Sequence, residues 1–306
     1  MFSTNHAAGE KGRVFSERDV LWAAQIACQL EVSADKPGNV TYGKPFEDVS
    51  VEQFLASAFA IGPAFSKACS SRTGQLVLEA VRDTKILAGF NTNLGIVLLL
   101  APLAKAALRK EEGTLRERLS LVLRETDERD TQDVYEAIRL ASPGGLKEMP
   151  RYGVMGPIPK IALMEAMAEA SAWDSIAAEY CSDFKIVFTF GLPALEQARH
   201  RIPRMREAVT HTFLTLLSEV PDTLISRKNT PEAAQKVSLM ARDVLEAGSV
   251  MSRNGRSMIH EMDLFLRDDR NALNPGTTAD LLAAVLFIAV LDVLDRRDLP
   301  ETLAGW

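Results

Sequence analysis

Three short polar segments of this chain combine glycine with groups that attract anions. Residues 91–95 (Asn-Thr-Asn-Leu-Gly) precede an apolar run at 96–100, so they form a turn that opens a buried helix. The free backbone N–H groups at such a helix start favour a phosphate. Residues 36–40 (Lys-Pro-Gly-Asn-Val) and 274–281 (Asn-Pro-Gly-Thr-Thr-Ala-Asp-Leu) have the same character. Together the three segments predict a nucleotide-handling enzyme.

Basic and amide side chains in or near these segments are the candidate nucleotide ligands. Lys36 lies on a sharp Pro-Gly turn and suits a phosphate, although a solvated lysine at a helix end is an alternative. Arg227 and Lys228 supply local positive charge in an acidic chain, and a solvated helix end is again the alternative. The residues expected to bind nucleotide are Lys36, Asn39, Asn91, Thr92, Gly95, Arg227 and Lys228.

Four carboxylates lie beside glycine-containing or basic segments. Glu31, Asp48, Asp133 and Asp222 are expected to hold Mg²⁺ through oxygen ligands or to act as a general base, and the sequence does not divide these roles. Asp48 and Asp133 have a plainer alternative, because acidic residues in a first helical turn often cap the helix or favour its N-terminal dipole. Thr277 and Asp280 are expected to form a capping box for the last helix.

Composition excludes several classes of protein. A net charge of −6 argues against a nucleic-acid partner bound through a basic surface. The three cysteines form no C-x-x-C pair, which favours a reduced, cytoplasmic protein. The apolar stretches at 94–108 and 281–291 are shorter than the ~20 residues of a membrane span, so we expect two core helices and no membrane partner. The oligomeric state is not readable.

Apolar residues repeat at three- and four-residue intervals nearly throughout, which predicts an all-α, multi-helix bundle of about a dozen helices. Residues 1–14 are expected to be a flexible tail, and residues 15–306 a single catalytic domain. The segment 184–190 is a strand candidate or part of a helix. The Gly/Pro-rich segment 142–160 is a linker or, as we favour, a functional loop over a pocket. Helices are expected at 16–34, 50–69, 73–88, 93–110, 114–126, 131–141, 160–171, 173–181, 194–200, 203–218, 230–248, 254–268 and 278–295.

In their order, these motifs resemble the triphosphoribosyl-dephospho-CoA synthase family. The shared segments are Glu31 with "KPGNV", the Asp48 segment before "FLASA", "NTNLG", "DVYEAIRLASPGGL", "DTLISRK" and "NPGTTADLL", and the resemblance covers roughly residues 20 to 292. The resemblance implies an all-α transferase that uses ATP and dephospho-CoA as substrates. The implied reaction joins C1 of the ATP ribose to the ribose 2′-hydroxyl of dephospho-CoA and expels adenine, which yields a prosthetic-group precursor.

The chain departs from this family in the turn at 91–95. Family members often read "NTHKG" there, whereas this chain has Asn93 and Leu94 in place of the histidine and lysine. The segment around Asp48 also lacks the family's usual histidine. ATP is therefore the expected substrate, whereas the acceptor stays open. Two alternatives stay open, namely another ATP-using or phosphate-ester enzyme of cofactor biosynthesis, and a catalytically silent nucleotide-binding or scaffold protein.

Overall fold

The computed structural model describes residues 14–145, 151–267 and 271–295. Within these ranges the chain forms fifteen α-helices and no β-strand. The α-helices are α1 Glu17–Ser33, α2 Val51–Ala60, α3 Gly62–Phe65, α4 Thr73–Ala88, α5 Leu94–Leu108, α6 Leu115–Arg124, α7 Glu128–Ala141, α8 Leu163–Ala170, α9 Ser175–Cys181, α10 Leu192–Arg201, α11 Met205–Glu219, α12 Thr223–Lys228, α13 Pro231–Glu246, α14 Arg253–Leu266 and α15 Gly276–Asp295. The prediction of an all-α fold is confirmed.

The helix boundaries differ from the expected ones where local chemistry interrupts or starts a helix. The helix expected at 50–69 divides into α2 and α3, because Pro63 has no N–H to donate to a carbonyl in the preceding turn. Helix α7 starts at Glu128, three residues early, because Asp127 caps it by accepting hydrogen bonds from Arg129 N and Asp130 N. Helix α12 was not expected at all. The tail at 1–13 and the middle of the loop at 146–150 lie outside the described residues.

One buried apolar cluster extends from α1 to α15. Helix α15 packs along α1 and also against α5 and α11. It is twenty residues long and apolar enough to cross a bilayer by length and composition, yet most of its length is buried within the fold. The expectation of a core helix is therefore confirmed for both α15 and α5. Because α15 is enclosed by other helices, its first turn can hold polar groups at a fixed place in the interior.

The strand candidate at 184–190 is helical. A π-helix spans Val187–Gly191 and leads directly into α10. Glu179 fixes its start, because the buried carboxylate accepts hydrogen bonds from Ile186 N at 2.8 Å and Val187 N at 2.9 Å. Apolar and β-branched residues here resemble a strand in sequence, but the distant carboxylate supplies the acceptors that a helix start needs.

The buried Glu179 predicts a pH dependence of stability. Burial raises the pKa of this carboxyl from its ordinary 4.5 to about 7, although Val187 N and Ile186 N oppose the shift. The native state therefore holds a proton that the unfolded chain releases, and the corresponding stabilisation is lost as pH rises from about 4.5 through 7. We expect the free energy of unfolding to fall by up to about 3 kcal/mol over this window from this group.

Denaturant titrations at pH 5 and pH 8 measure this difference, with Glu179→Gln as the matched variant. The variant loses one acceptor and is less stable, but its pH dependence is smaller than that of the wild type. A variant that keeps the full wild-type pH dependence contradicts the role of Glu179.

Candidate active site

A cavity of about 1070 Å³ lies among the helices that carry the sequence motifs. Helices α1, α5, α7, α8, α9, α12 and α15 form its walls, together with loops within residues 39–49 and 142–154. Its described lining contains six carboxylates and four basic side chains. These are Glu31, Asp48, Glu169, Asp174, Glu232 and Asp280, and Lys85, Arg151, Arg227 and Lys228. The cavity is large for a single small ligand, since such pockets commonly measure about 300–1,000 Å³.

The loop at 36–40 and the loop at 274–276 are bound to one another at one end of the cavity. Asn274 Nδ2 donates to Gly38 O at 2.7 Å and to Asn39 Oδ1 at 3.0 Å. Gly38 N donates to the buried Asp263 at 2.9 Å. Gly38 has a φ of +72°, and a Cβ there would lie 2.7 Å from Leu266 Cβ. Glycine is thus required by the turn and by close packing, and Asn39 reaches the cavity lining from a fixed backbone.

Glu31 and Lys36 form a buried ion pair beside this loop. Lys36 Nζ lies 3.0 Å from Glu31 Oε1, and both side chains are at least 95% buried. Lys36 also donates to the backbone carbonyls of Glu31 and Ala34. Glu31 lines the cavity, whereas Lys36 lies behind it and is absent from the lining. The ammonium therefore contacts Glu31 rather than the cavity space where a phosphate would bind.

The turn at 91–95 is held by its own polar side chains. Asn91 Oδ1 accepts a hydrogen bond from Leu94 N at 3.1 Å, and Thr92 Oγ1 contacts Ser57 Oγ. Asn93 Nδ2 donates to Thr84 Oγ1 at 3.1 Å. Asn91, Thr92 and Gly95 all line the cavity, as a ligand-binding turn requires. One of the free N–H groups at the start of α5 is already occupied by Asn91.

Asp280 on α15 lies against this turn. A Cβ at Gly95 would be 2.0 Å from Asp280 Oδ2 and 2.8 Å from Ile176 Cδ1. Burial, together with the negative charges of Glu31 and Asp222, raises the pKa of Asp280 well above its usual range. The carboxyl makes no hydrogen bond or ion pair within the described part of the chain, and it lines the cavity. Gly95 therefore leaves room for a carboxyl group, which keeps a proton more readily than an exposed aspartate.

Asp222 lies outside the cavity lining and stabilises two helix starts. Its Oδ1 accepts hydrogen bonds from Leu224 N at 2.9 Å and Ile225 N at 3.1 Å, which caps α12. Its Oδ2 accepts from Thr278 N at 2.7 Å and Thr278 Oγ1 at 2.8 Å, in the first turn of α15. All four interactions lie within the protein, so the carboxylate acts here as a structural acceptor.

The expected capping box of the last helix is not formed as expected. Helix α15 begins at Gly276, so Thr277 lies inside the first turn, and Thr223 Oγ1 donates to its hydroxyl at 3.3 Å. Asp280 consequently lies one turn into the helix and contributes to the cavity. Thr278 meets the capping requirement of this turn through Asp222 instead.

Asp48 lines the cavity, whereas Asp133 lies outside its lining. Asp133 accepts a hydrogen bond from Arg72 at 2.7 Å where the N-terminal ends of α4 and α7 meet, and it does not line the cavity. Asp48 is exposed and lines the cavity from its loop. Helix α2 is capped by Ser50 with Gln53 rather than by Asp48. Of the four predicted carboxylates, the cavity therefore receives Glu31 and Asp48.

The structure does not bring the four predicted magnesium ligands together. No group of three or more His, Cys, Asp or Glu side chains suited to a metal ion occurs among the described residues. Glu31 is paired with Lys36, Asp133 with Arg72, and Asp222 accepts four hydrogen bonds. Mg²⁺ in nucleotide sites commonly takes one or two carboxylates plus substrate phosphates, so a protein-only set of ligands is not needed.

Arg227 and Lys228 provide a basic region on α12. Arg227 Nη1 donates to Asp174 Oδ2, and its Nε is buried without an acceptor among the described residues. Lys228 Nζ donates to Asn271 O at 3.0 Å. Both cations line the cavity, and the guanidinium retains donors beyond those used by Asp174. An anion in the cavity could therefore accept hydrogen bonds from the guanidinium.

The described ends of the loop at 142–160 cover this basic region. Gly145 has a φ of +77°, and a Cβ there would lie 3.1 Å from Arg227 Cβ. A Cβ at Gly144 would lie 2.9 Å from Lys228 Cε. Tyr135 Oη donates to Tyr152 O at 2.6 Å and ties the far end of the loop to α7. In the described part, the segment lines the cavity, as favoured from the sequence.

Asp280 and Asp174 are site residues that the sequence interpretation missed. Asp280 is the only charged residue among the first sixteen of α15. A lone carboxylate in an apolar helix is a usable signal, because burying it without a reason is costly. Asp174 precedes α9 and caps it through Ile176 N and Ala177 N, which hides its second contact with Arg227. No local pattern indicates that contact.

Comparison with known proteins identifies the family to which this sequence is similar. Residues 17–298 match the CitG family, described as ATP:dephospho-CoA triphosphoribosyl transferase. A protein from Malonomonas rubra, assigned as a 2-(5''-triphosphoribosyl)-3'-dephosphocoenzyme-A synthase, is 26% identical over 293 residues, which cover 89% of this chain and 88% of that protein. A protein of Pseudomonas fluorescens strain Pf-5 with the same assignment is 29% identical over 278 residues, with 86% and 84% covered.

A solved structure is similar to this chain in both fold and sequence. The crystal structure of a protein from Archaeoglobus fulgidus, described as a triphosphoribosyl-dephospho-coA synthase, superposes with a TM-score of 0.59 at 30% sequence identity. The match covers 78% of this chain and 98% of that chain. The likeness therefore extends over nearly all of the solved protein.

The contact between Gly95 and Asp280 predicts the effect of one added methyl group. In Gly95→Ala the Cβ overlaps the Asp280 carboxyl and Ile176 Cδ1, so the carboxyl moves out of its position. We expect a loss of about 1–3 kcal/mol in stability, as for overpacked cores, together with reduced turnover. Thermal unfolding and adenine release measure the two effects. Gly156→Ala is the control, because its Cβ would meet only Gly153 O at 3.4 Å. Wild-type stability and turnover in Gly95→Ala contradict the assignment.

Proposed function

This chain belongs to the ATP:dephospho-CoA triphosphoribosyl transferase family, and we propose that it transfers the triphosphoribosyl group of ATP to the ribose 2′-hydroxyl of 3′-dephospho-CoA, with release of adenine. The main support is that two carboxyl groups, Glu31 and Asp280, line the same cavity as Arg227 and Lys228. The carboxyl groups suit the reacting sugar, and the two basic side chains suit the triphosphate.

The reaction exchanges two bonds at C1 of the ATP ribose. The bond from C1 to N9 of adenine breaks, and adenine leaves with the electron pair and takes up a proton. The bond from C1 to the acceptor 2′-oxygen forms, and the hydroxyl proton passes to a base. Positive charge develops on the sugar as the leaving group departs, so nearby carboxylate charge stabilises the transition state.

Glu31 and Asp280 have the environments that these two proton transfers need. The Lys36 ammonium lies 3.0 Å from Glu31 Oε1 and orients this carboxylate, which lines the cavity and is suited to stabilise the sugar cation and to accept the hydroxyl proton. Asp280 has no cationic partner within 4 Å among the described residues, and burial raises its pKa. It is therefore suited to donate the proton that adenine needs.

The triphosphate is assigned to the basic region on α12. Arg227 can offer guanidinium donors to phosphate oxygens, and Lys228 adds a point charge. Asn39, Asn91, Thr92 and Gly95 also line the cavity, and we assign the ribose and adenine to this part of the lining. The lining has two more carboxylates than basic groups, so Mg²⁺ bound together with ATP would supply positive charge that the described lining lacks.

The acceptor is assigned to an apolar wall formed by α7, α8 and α9. Ile138, Leu163, Met167 and Ile176 line it, and Trp173 lies at the start of α9. This wall offers an elongated, weakly polar chain such as the pantetheine arm a continuous surface. Residues 15–306 would act as one catalytic domain in the cytoplasm, where ATP is abundant and the three free cysteines stay reduced.

Product analysis tests the proposed function. Incubation with ATP, Mg²⁺ and dephospho-CoA is expected to release one adenine per acceptor consumed and to give an adduct whose mass equals that of both substrates minus adenine. Liquid chromatography with mass spectrometry detects both products. Binding of ATP without release of adenine would favour a silent nucleotide-binding protein, and release without an adduct would point to another acceptor.

Two aspartate variants test the division of roles. Asp280→Asn removes the proton donor, and we expect kcat to fall by about 10²–10⁴-fold, the usual contribution of general acid–base catalysis. Asp133→Asn is the matched control, because Asp133 contacts Arg72 outside the cavity, and near wild-type turnover is expected. Equal losses in the two variants contradict the role given to Asp280.

Chelation of Mg²⁺ tests whether the cation is needed to balance the charge of the triphosphate in the cavity. ATP binding, measured by calorimetry, is expected to weaken when Mg²⁺ is removed with excess chelator, because the lining is acidic overall. An unchanged affinity would mean that the basic groups alone balance the triphosphate charge.

A further inference from the structure

Lys36 is a buried cation that does not reach the cavity. The residue is 1% exposed, and its Nζ lies 3.0 Å from Glu31 Oε1. It also donates to Glu31 O and, at 3.4 Å, to Ala34 O, where α1 ends. Within the described part of the chain, the ammonium therefore contacts only the end of α1. A ligand in the cavity meets Glu31 first.

The surrounding backbone leaves this lysine little freedom. Lys36 N donates to Ala34 O at 2.9 Å, and Asn39 N donates to Lys36 O at 3.1 Å. The adjoining Gly38 is fixed by Asp263 and by Asn274. Removing an ammonium from water is expensive unless it is paired and hydrogen-bonded, so a burial this complete depends on the partner carboxylate.

Glu31 needs such a partner because the neighbouring charge on the cavity side is negative. Glu31 and Asp280 lie close enough for the charge of Glu31 to raise the pKa of Asp280. The ion pair holds Lys36 Nζ 3.0 Å from Glu31 Oε1, and without it the carboxylate would lose its charged partner and be free to turn away. Lys36 does not line the cavity, so it pairs with Glu31 without occupying ligand space.

We propose that Lys36 is a positioning residue, which holds the Glu31 carboxylate in one orientation toward the reacting sugar, and that it is not a phosphate ligand. This inference rests on the proposed function, because it assigns Glu31 a place at the reaction centre. It replaces the expectation that the lysine of the Lys-Pro-Gly turn binds a phosphate. Lys36 is therefore expected to affect turnover rather than substrate affinity.

A double-mutant cycle distinguishes a residue that positions Glu31 from a residue that binds phosphate. Lys36→Met, Glu31→Gln and the double variant are compared for kcat in adenine release and for the Kd of Mg-ATP by calorimetry. Lys36→Met is expected to lower kcat by about tenfold or more, and to leave the Kd within about threefold. The double variant is expected to be no slower than Glu31→Gln alone, because Lys36 acts through Glu31.

Opposite results overturn the inference. A phosphate ligand would raise the Kd of Mg-ATP by about tenfold or more in Lys36→Met, and the effect would persist in the Glu31→Gln background. If Lys36→Met fails to fold because Glu31 is left unpaired, the double variant removes both charges, and its comparison with Glu31→Gln still decides.

A lysine of the same loop provides the matched control. Lys44 pairs with Asp263 at 2.9 Å and does not line the cavity, so Lys44→Met is expected to keep kcat. A wild-type chain that releases no adenine overturns the proposed function and, with it, this inference. An active wild type whose Lys36 and Glu31 losses are additive overturns this inference alone.

Discussion

The carboxylate of Asp222 is the interaction on which the geometry of the cavity depends. It accepts hydrogen bonds from the first turns of both α12 and α15, so one buried side chain fixes two helix starts. Helix α12 carries Arg227 and Lys228, and α15 carries Asp280 two residues after Thr278. Each cap contributes about 1 kcal/mol, but the greater consequence is geometric. Arg227 and Lys228 are thereby held in a fixed relation to Asp280.

Buried ion pairs and hydrogen bonds within the protein hold the other polar side chains of the site in place. Lys36 forms an ion pair with Glu31, and Asp263 and Asn274 fix the loop that carries Asn39. Arg227 is oriented by Asp174, which also caps α9. Because each of these groups is held by the protein itself, the cavity is organised before a substrate arrives, and little ordering remains to be done on binding.

The sequence predicted the helical fold and segments that line one cavity, but several of the predicted site side chains lie away from its described lining. Helical periodicity is a property of consecutive residues, so α1, α5 and α15 could be identified directly. The Lys-Pro-Gly and Asn-Pro-Gly segments lie together at the cavity, yet Gly38 packs against α14 and Lys36 points away from the lining. Caps and ligands use the same residue types, so Asp222 and Asp133 cannot be told from site residues until their distant partners are known. Asp280 was missed for the converse reason, since its first-turn position predicted a cap.

The most direct measurement is a crystal structure of the complex with Mg²⁺, ATP and dephospho-CoA, in which Asp280→Asn slows turnover. The account predicts triphosphate oxygens at Arg227 and Lys228, C1 of the ATP ribose between Glu31 and residue 280, and the pantetheine arm along α7, α8 and α9. A triphosphate bound at Lys36, or a sugar remote from Glu31, would contradict it.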